Sequence, residues 1–168
     1  MKRLKPTKII LLTCFIISLA FCSPLYSEEL MHVGELFSLR DAITEQGNLL
    51  PEKIEKTSGN DRRTLERIFE LNTSTLTTIE AYFRILMITI ATGNETNSEA
   101  IKILNEWLTF TKNQCVYDIE YLDATLKEAN DPQVIDEIIQ AKKHAESLLT
   151  LTSNAINENS KLVNQTTE

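Results

Sequence analysis

The groups in this chain that could ligate a metal, move a proton or attack an electrophile are few. It has two histidines, His32 and His144, three cysteines, Cys14, Cys22 and Cys115, and 24 acidic residues. Their spacing argues against each chemistry they could support. A di-iron bundle needs two Glu-x-x-His pairs and two further glutamates. Only Glu29 and His32 have that spacing, and the residue three before His144 is Ala141. Covalent haem needs Cys-x-x-Cys-His, which does not occur. A non-covalent haem held by a Met on the first helix and a His on the last would use Met31 and His144. His144, however, falls about twelve residues into its helix, whereas a ligand opposite Met31 belongs near that helix's end. No nucleophile elbow or Gly-rich phosphate loop is present to pair a nucleophile with a base or to cradle a phosphate. The carboxylate pairs Glu66 with Glu70 and Asp136 with Glu137 read as solvated surface, without apolar surroundings that would raise a pKa. The sequence therefore predicts a protein that is not an enzyme and has no metal site and no bound cofactor.

What remains is chemistry of contact. Ile103, Trp107, Phe110, Tyr117 and Tyr121 hold the only Trp and two of the four Tyr. At 100° per residue they form one stripe along a helix, about 120° away from that helix's main apolar line. Neighbouring helices could cover this second stripe, as happens to any helix inside a bundle. Left uncovered, it would bind a partner helix, a second copy of the chain or a small ligand. These five residues are the predicted binding site.

The elements that must carry them are helical. Four glycines and four prolines leave little material for strands and turns. Punctuation at 47–51, 58–60, 93–97 and 130–132 divides the chain after residue 27 into four helical segments. The first is predicted over 29–46, with Leu30, Val33, Leu36, Phe37 and Ile43 on its apolar side and Gly47 as its stop. About a dozen connecting residues containing Pro51 follow, tacked down by Ile54. The second runs from about residue 60 to Thr92, with the seam Leu65, Ile68, Asn72, Leu76, Ile79, Phe83, Leu86 and Ile90 in steps of three and four. Asn72 in that seam is either a register-setting polar residue or a tolerated one. The third starts at an Asn97 or Ser98 cap and uses Ile101, Leu104, Leu108, Thr111, Cys115, Ile119, Leu122 and Leu126. Asp131 caps the fourth, with Pro132 at the position where a missing amide hydrogen costs nothing. Its seam is Val134, Ile138, Ala141, Ala145, Leu148, Thr152 and Ile156, and the polar residues from Asn157 onward read as a fraying tail. Short turns between the last three segments make them antiparallel neighbours. The expected fold is all-α: an antiparallel up-and-down four-helix bundle with a short first helix and three long helices.

The N-terminus sets the compartment. Lys2, Arg3, Lys5 and Lys8 precede a 14-residue apolar run, Ile9 to Cys22, too short for a span of about 20 residues. With Pro24 and the small Ser27 beyond it, the pattern is that of a secretory signal peptide cut after Ser27. Residues 1–27 are thus a cleaved leader and 28–168 a single bundle domain. Lipidation at Cys22, which would tether the bundle to a membrane, is the alternative. Cleavage removes four cations and two cysteines and leaves 13 basic against 24 acidic residues, a net charge of −11. Nucleic acid and membrane insertion are then not expected, and the one remaining thiol, Cys115, lies on an apolar face as a buried, inert residue. Three Asn-x-Ser/Thr sequons, at Asn72, Asn94 and Asn164, are about what chance would place. The sequence thus points to a periplasmic or secreted bundle that binds a protein partner or itself through the aromatic stripe. A sensor or carrier with a ligand pocket inside the bundle is the second reading.

Overall fold

A computed structural model describes residues 26–91 and 98–165. The expected leader, apart from Tyr26 and Ser27, lies outside the described residues, as do Gly93 and the Asn94 sequon. The described residues form four α-helices and no strand: α1 (Tyr26–Lys56), α2 (Gly59–Ala91), α3 (Ser98–Glu128) and α4 (Pro132–Gln165). They pack as a helical bundle. Two compact units are distinguished, Met1–Glu35 and Leu36–Glu168. Only the opening turns of α1 belong to the described part of the first, and the packing below is that of the second.

The first helix corrects the sequence expectation. It is 31 residues long and passes through both Gly47 and Pro51, so there is no short first helix. Thr57 and Ser58 alone separate it from α2, in place of a dozen-residue connection. The physical reason is a contest of magnitudes. Interior Gly and Pro cost about 1 and 3 kcal/mol of helix propensity. Here the two costs fall in one turn, because the amide that Pro51 lacks is the one that would have bonded the Gly47 carbonyl. On the other side, Ile43 and Leu50 are fully buried and Ile54 packs against the core, each such side chain contributing about 1.5–3 kcal/mol. Burial wins, and the helix continues. The turn is made instead at Gly59, whose φ of +65° is the left-handed conformation that glycine adopts without strain.

The other starts follow the sequence. Asp131 Oδ1 accepts from the amides of Gln133 at 2.7 Å and Val134 at 3.4 Å, capping α4. α3 begins at Ser98 with Glu99 in its first turn. α4 continues to Gln165 rather than fraying at Asn157, and Asn159 Nδ2 donates to Asn105 Oδ1 on α3 at 2.9 Å. The threonine-rich middle of α2 is held as helix, with Thr73, Thr75 and Thr77 hydroxyls donating to carbonyls four residues back.

All four helices contribute to two apolar clusters. One joins Leu50 of α1, Leu65, Ile68 and Leu71 of α2, Leu122 of α3, and Val134, Ile138 and Ala141 of α4. The other joins Leu36, Leu39 and Ile43, then Ile79, Cys115, Leu148 and Leu151. Phe83 of α2, packed against that cluster, stacks on Phe37 of α1, ring centroids 4.4 Å apart. The seams read from the sequence are the buried or partly buried lines of α2, α3 and α4, with Asn72, Thr111 and Thr152 as buried polar members; the side chain of Ile90 lies outside the described residues. Cys115 is buried and its thiol is pushed up to about 12, first by burial and then by the nearby Asp118 carboxylate. It is an inert residue of the core, as its position on the seam implies.

Candidate functional site

The predicted stripe lies along α3 on the face turned away from its buried seam. Ile103 is 59% exposed, Phe110 60%, Tyr117 67% and Tyr121 40%. Trp107 is half-buried between them, its ring tilted against Phe110 with centroids 6.1 Å apart. Its Nε1 is buried and has no hydrogen-bond partner among the described residues. The structure therefore leaves the five residues together on one helix face, largely in solvent. Among the described residues, the neighbouring helices leave Ile103, Phe110, Tyr117 and Tyr121 exposed and cover Trp107 only in part. α1, although full-length, is engaged elsewhere: it stacks on α2 through Phe37 and bonds to α4 through Gln46.

Charges border the stripe. On the α2 side, the Arg67 guanidinium lies 5.7 Å from the Tyr121 ring centroid, a cation–π contact. Asp118 sits beside it, half-buried, and burial raises its carboxyl above the ordinary range against the opposing effects of the Gln114 hydrogen bond and Arg67. Along the outer edge, Glu99, Glu106, Asn113, Glu120 and Lys127 recur every seven residues, all exposed.

A second polar constellation was not legible as such. Glu137, expected on the solvated surface, is 4% exposed; the exposed member of that pair is Asp136. Gln46 Nε2 donates to Glu137 Oε2 at 2.8 Å and to the Glu137 carbonyl at 2.9 Å. Asn72 Nδ2 donates to Gln46 Oε1 at 3.0 Å. The Lys53 ammonium donates to Glu137 Oε1, so a chain of side chains from α2, α1 and α4 ends in an ion pair between a buried carboxylate and a partly exposed lysine. A signal for it existed. Gln46 stands three residues after Ile43 and four before Leu50, and Glu137 three after Val134 and four before Ala141, which are core steps occupied by polar residues. Asn72 is thus hydrogen-bonded inside the bundle, its side chain buried while Thr73 and Ser74 of its sequon are exposed.

His144 is half-buried one turn beyond Ala141, and its Nδ1 is buried without a partner among the described residues. Burial holds its pKa below the ordinary value of 6.5, with Glu137 pulling weakly the other way. The side chain of Met31 lies outside the described residues. Among the described residues no three His, Cys, Asp or Glu side chains converge on a point that could hold a metal ion. A cleft of about 500 Å³ opens where the α1–α2 and α3–α4 turns meet, lined by Leu49, Lys53, Lys56, Asp61, Asp131 and neighbours. It is an open, polar cleft at an end of the helices. Several of its charges are already engaged: Lys53 by Glu137, Lys56 by Glu52 and Asp131 by the α4 amides.

No described helix is long and apolar enough to cross a membrane. Comparison of the chain with family models, curated proteins and solved structures finds no match. The described residues therefore define a helical bundle with a largely exposed aromatic line on α3.

Proposed function

We propose that this chain is an exported, non-enzymatic binding protein that engages a protein partner, or itself, through Ile103, Trp107, Phe110, Tyr117 and Tyr121, with no cofactor. Residues 1–27 act as the removed leader and residues 28–168 as the working domain, periplasmic or extracellular. The helices run up and down, each antiparallel to the next. Supporting this, a step of 18 residues back along α3, from Asp123 to Asn105, corresponds to 17 residues forward along α4, from Lys142 to Asn159. Between α1 and α2, advancing from Phe37 to Gln46 likewise moves back from Phe83 to Asn72.

The observation that carries the reading is the exposure of four large apolar side chains in one line on α3. An uncovered apolar line of this kind, on a bundle that buries its other seams, is what partner-binding helices present. Its aromatic content matches the residues that dominate interface energies. A photo-activatable cross-linker at position 117 tests it in the producing cell. A covalent adduct that disappears on Phe110→Ser, with helicity and Tm unchanged, is the expected result. A cross-linker that only ever reacts with water, in cells where the protein is active and folded, would remove the stripe as a binding face. N-terminal sequencing of the same material should begin at Glu28.

A further inference from the structure

We infer that the occupant of the aromatic face is a second copy of the same chain, docked α3 against α3 in antiparallel orientation about a two-fold axis. The inference rests on the reading of this face as a binding surface and names what binds there.

The stripe is itself a heptad seam. Ile103, Trp107, Phe110, Gln114, Tyr117, Tyr121 and Ala124 follow one another in steps of four and three, the spacing that keeps one line of side chains facing a partner helix. Every described residue of that line except Trp107 is exposed, so among the described residues no helix of the chain occupies the seam. Residues 107 to 124 extend about 26 Å at 1.5 Å per residue.

Antiparallel pairing sets the two ends of this line against each other. Trp107 meets Ala124 of the second copy, Phe110 meets Tyr121, and Gln114 meets Tyr117, each twice by symmetry. The largest side chain then faces the smallest, and the one polar member faces a phenol that can hydrogen-bond to it. The flanking heptad line supplies complementary charge in the same register. Glu106 lies across from Lys127 of the second copy, and Asn113 from Glu120, again twice each, with no like-charge pair among them. Parallel pairing would instead stack Gln114 on Gln114 and leave Lys127 without an acidic counterpart. A two-fold arrangement needs only one self-complementary patch, and this patch complements itself in one direction only.

The face is one helix wide, less than the roughly 800 Å² per partner of a standard stable interface. A contact of this size is that of a transient, reversible dimer.

Sedimentation velocity on the protein purified after cellular processing measures it, together with three variants at exposed positions. Glu106→Lys and Lys127→Glu each put like charges across the axis twice, and each is expected to raise the dissociation constant about tenfold. The double variant Glu106→Lys/Lys127→Glu restores opposite charges and is expected to return to the wild-type constant. Circular dichroism should be identical for all four chains. A monomeric wild type at about 1 mM, or a double variant no tighter than the singles, overturns the self-pairing. In either case a cross-link from position 117 to a different protein leaves the binding face standing. Dimers of undiminished affinity in a Phe110→Ser/Tyr117→Ser chain would overturn both, because the contact would then lie on another surface.

Discussion

α3 carries two apolar lines with the same three-and-four spacing, and the bundle treats them oppositely. The line from Ile101 to Leu126 is packed between α2 and α4, with Leu108 and Leu122 almost wholly buried. The line from Ile103 to Tyr121 is the more aromatic of the two, and most of it stands in solvent. Periodicity alone therefore marks where a helix can be packed. Which line is taken by its own chain depends on where the neighbouring helices have already committed their apolar faces. α1 has an apolar side to offer, but Phe37, Gln46 and Leu50 spend it on α2 and α4.

Truncation separates the two lines most sharply. Leu122→Ala should cost about 2–5 kcal/mol of unfolding free energy, the usual range for emptying a packed site. Phe110→Ala should change it by no more than about 0.5 kcal/mol in the monomer. Urea denaturation of the two variants, at a concentration too low for association, decides the matter. Similar losses would mean that both lines are buried in solution.

The core between α1, α2 and α4 also contains polar residues, and these should behave unlike polar residues beside the stripe. Lys53→Met leaves the Glu137 carboxylate buried with Gln46 alone, at a cost of about 1–3 kcal/mol; the Lys53 side chain is about one-third exposed, which keeps the loss below that of a fully enclosed pair. Replacing Lys53, Glu137, Gln46 and Asn72 together by Met or Leu should be close to neutral or stabilising, since no desolvated group is then stranded. Arg67→Met beside Tyr121 should be near zero. A loss for the fourfold variant as large as for Lys53→Met would show that the polar chain holds the bundle's register rather than being merely satisfied within it.

The smallest expected effect is on pH dependence. His144 has its folded pKa lowered by burial, so the unfolded chain takes up a proton first as the pH falls. Its contribution to stability is complete above the ordinary value of 6.5 and declines as the pH drops from there through the lowered folded value. Chemical denaturation at pH 7.5 and at pH 5.5 should show that decline, and His144→Gln should reduce it. An unchanged decline in the variant would assign it to carboxylates instead.

Much of this was legible residue by residue. The three-and-four steps of α2, α3 and α4, the Asp131–Pro132 start and the inert position of Cys115 all follow from local patterns, because each depends on residues within a few turns of one another. The five residues of the stripe were equally legible as a line, since a helix places them on one face regardless of its surroundings. The course of α1 through Gly47 and Pro51 is not legible locally, because their cost is local whereas the offset comes from Leu50 and Ile54 packing against α2 and α4. The burial of Glu137 is not legible locally for a related reason. A carboxylate at a core step looks like surface until a lysine and a glutamine about ninety residues away in the chain are brought against it.

The sequence by itself determined the helical class, the seams of α2, α3 and α4, the Asp131 cap and the existence of a second apolar line on α3, all consequences of spacing and short-range hydrogen bonding. Only the tertiary structure decided that α1 continues through its two breakers, that Glu137 is enclosed and that the aromatic line stays open. Each of those outcomes turns on which surfaces meet across the bundle, and burial over such distances outweighs the preference of any single residue.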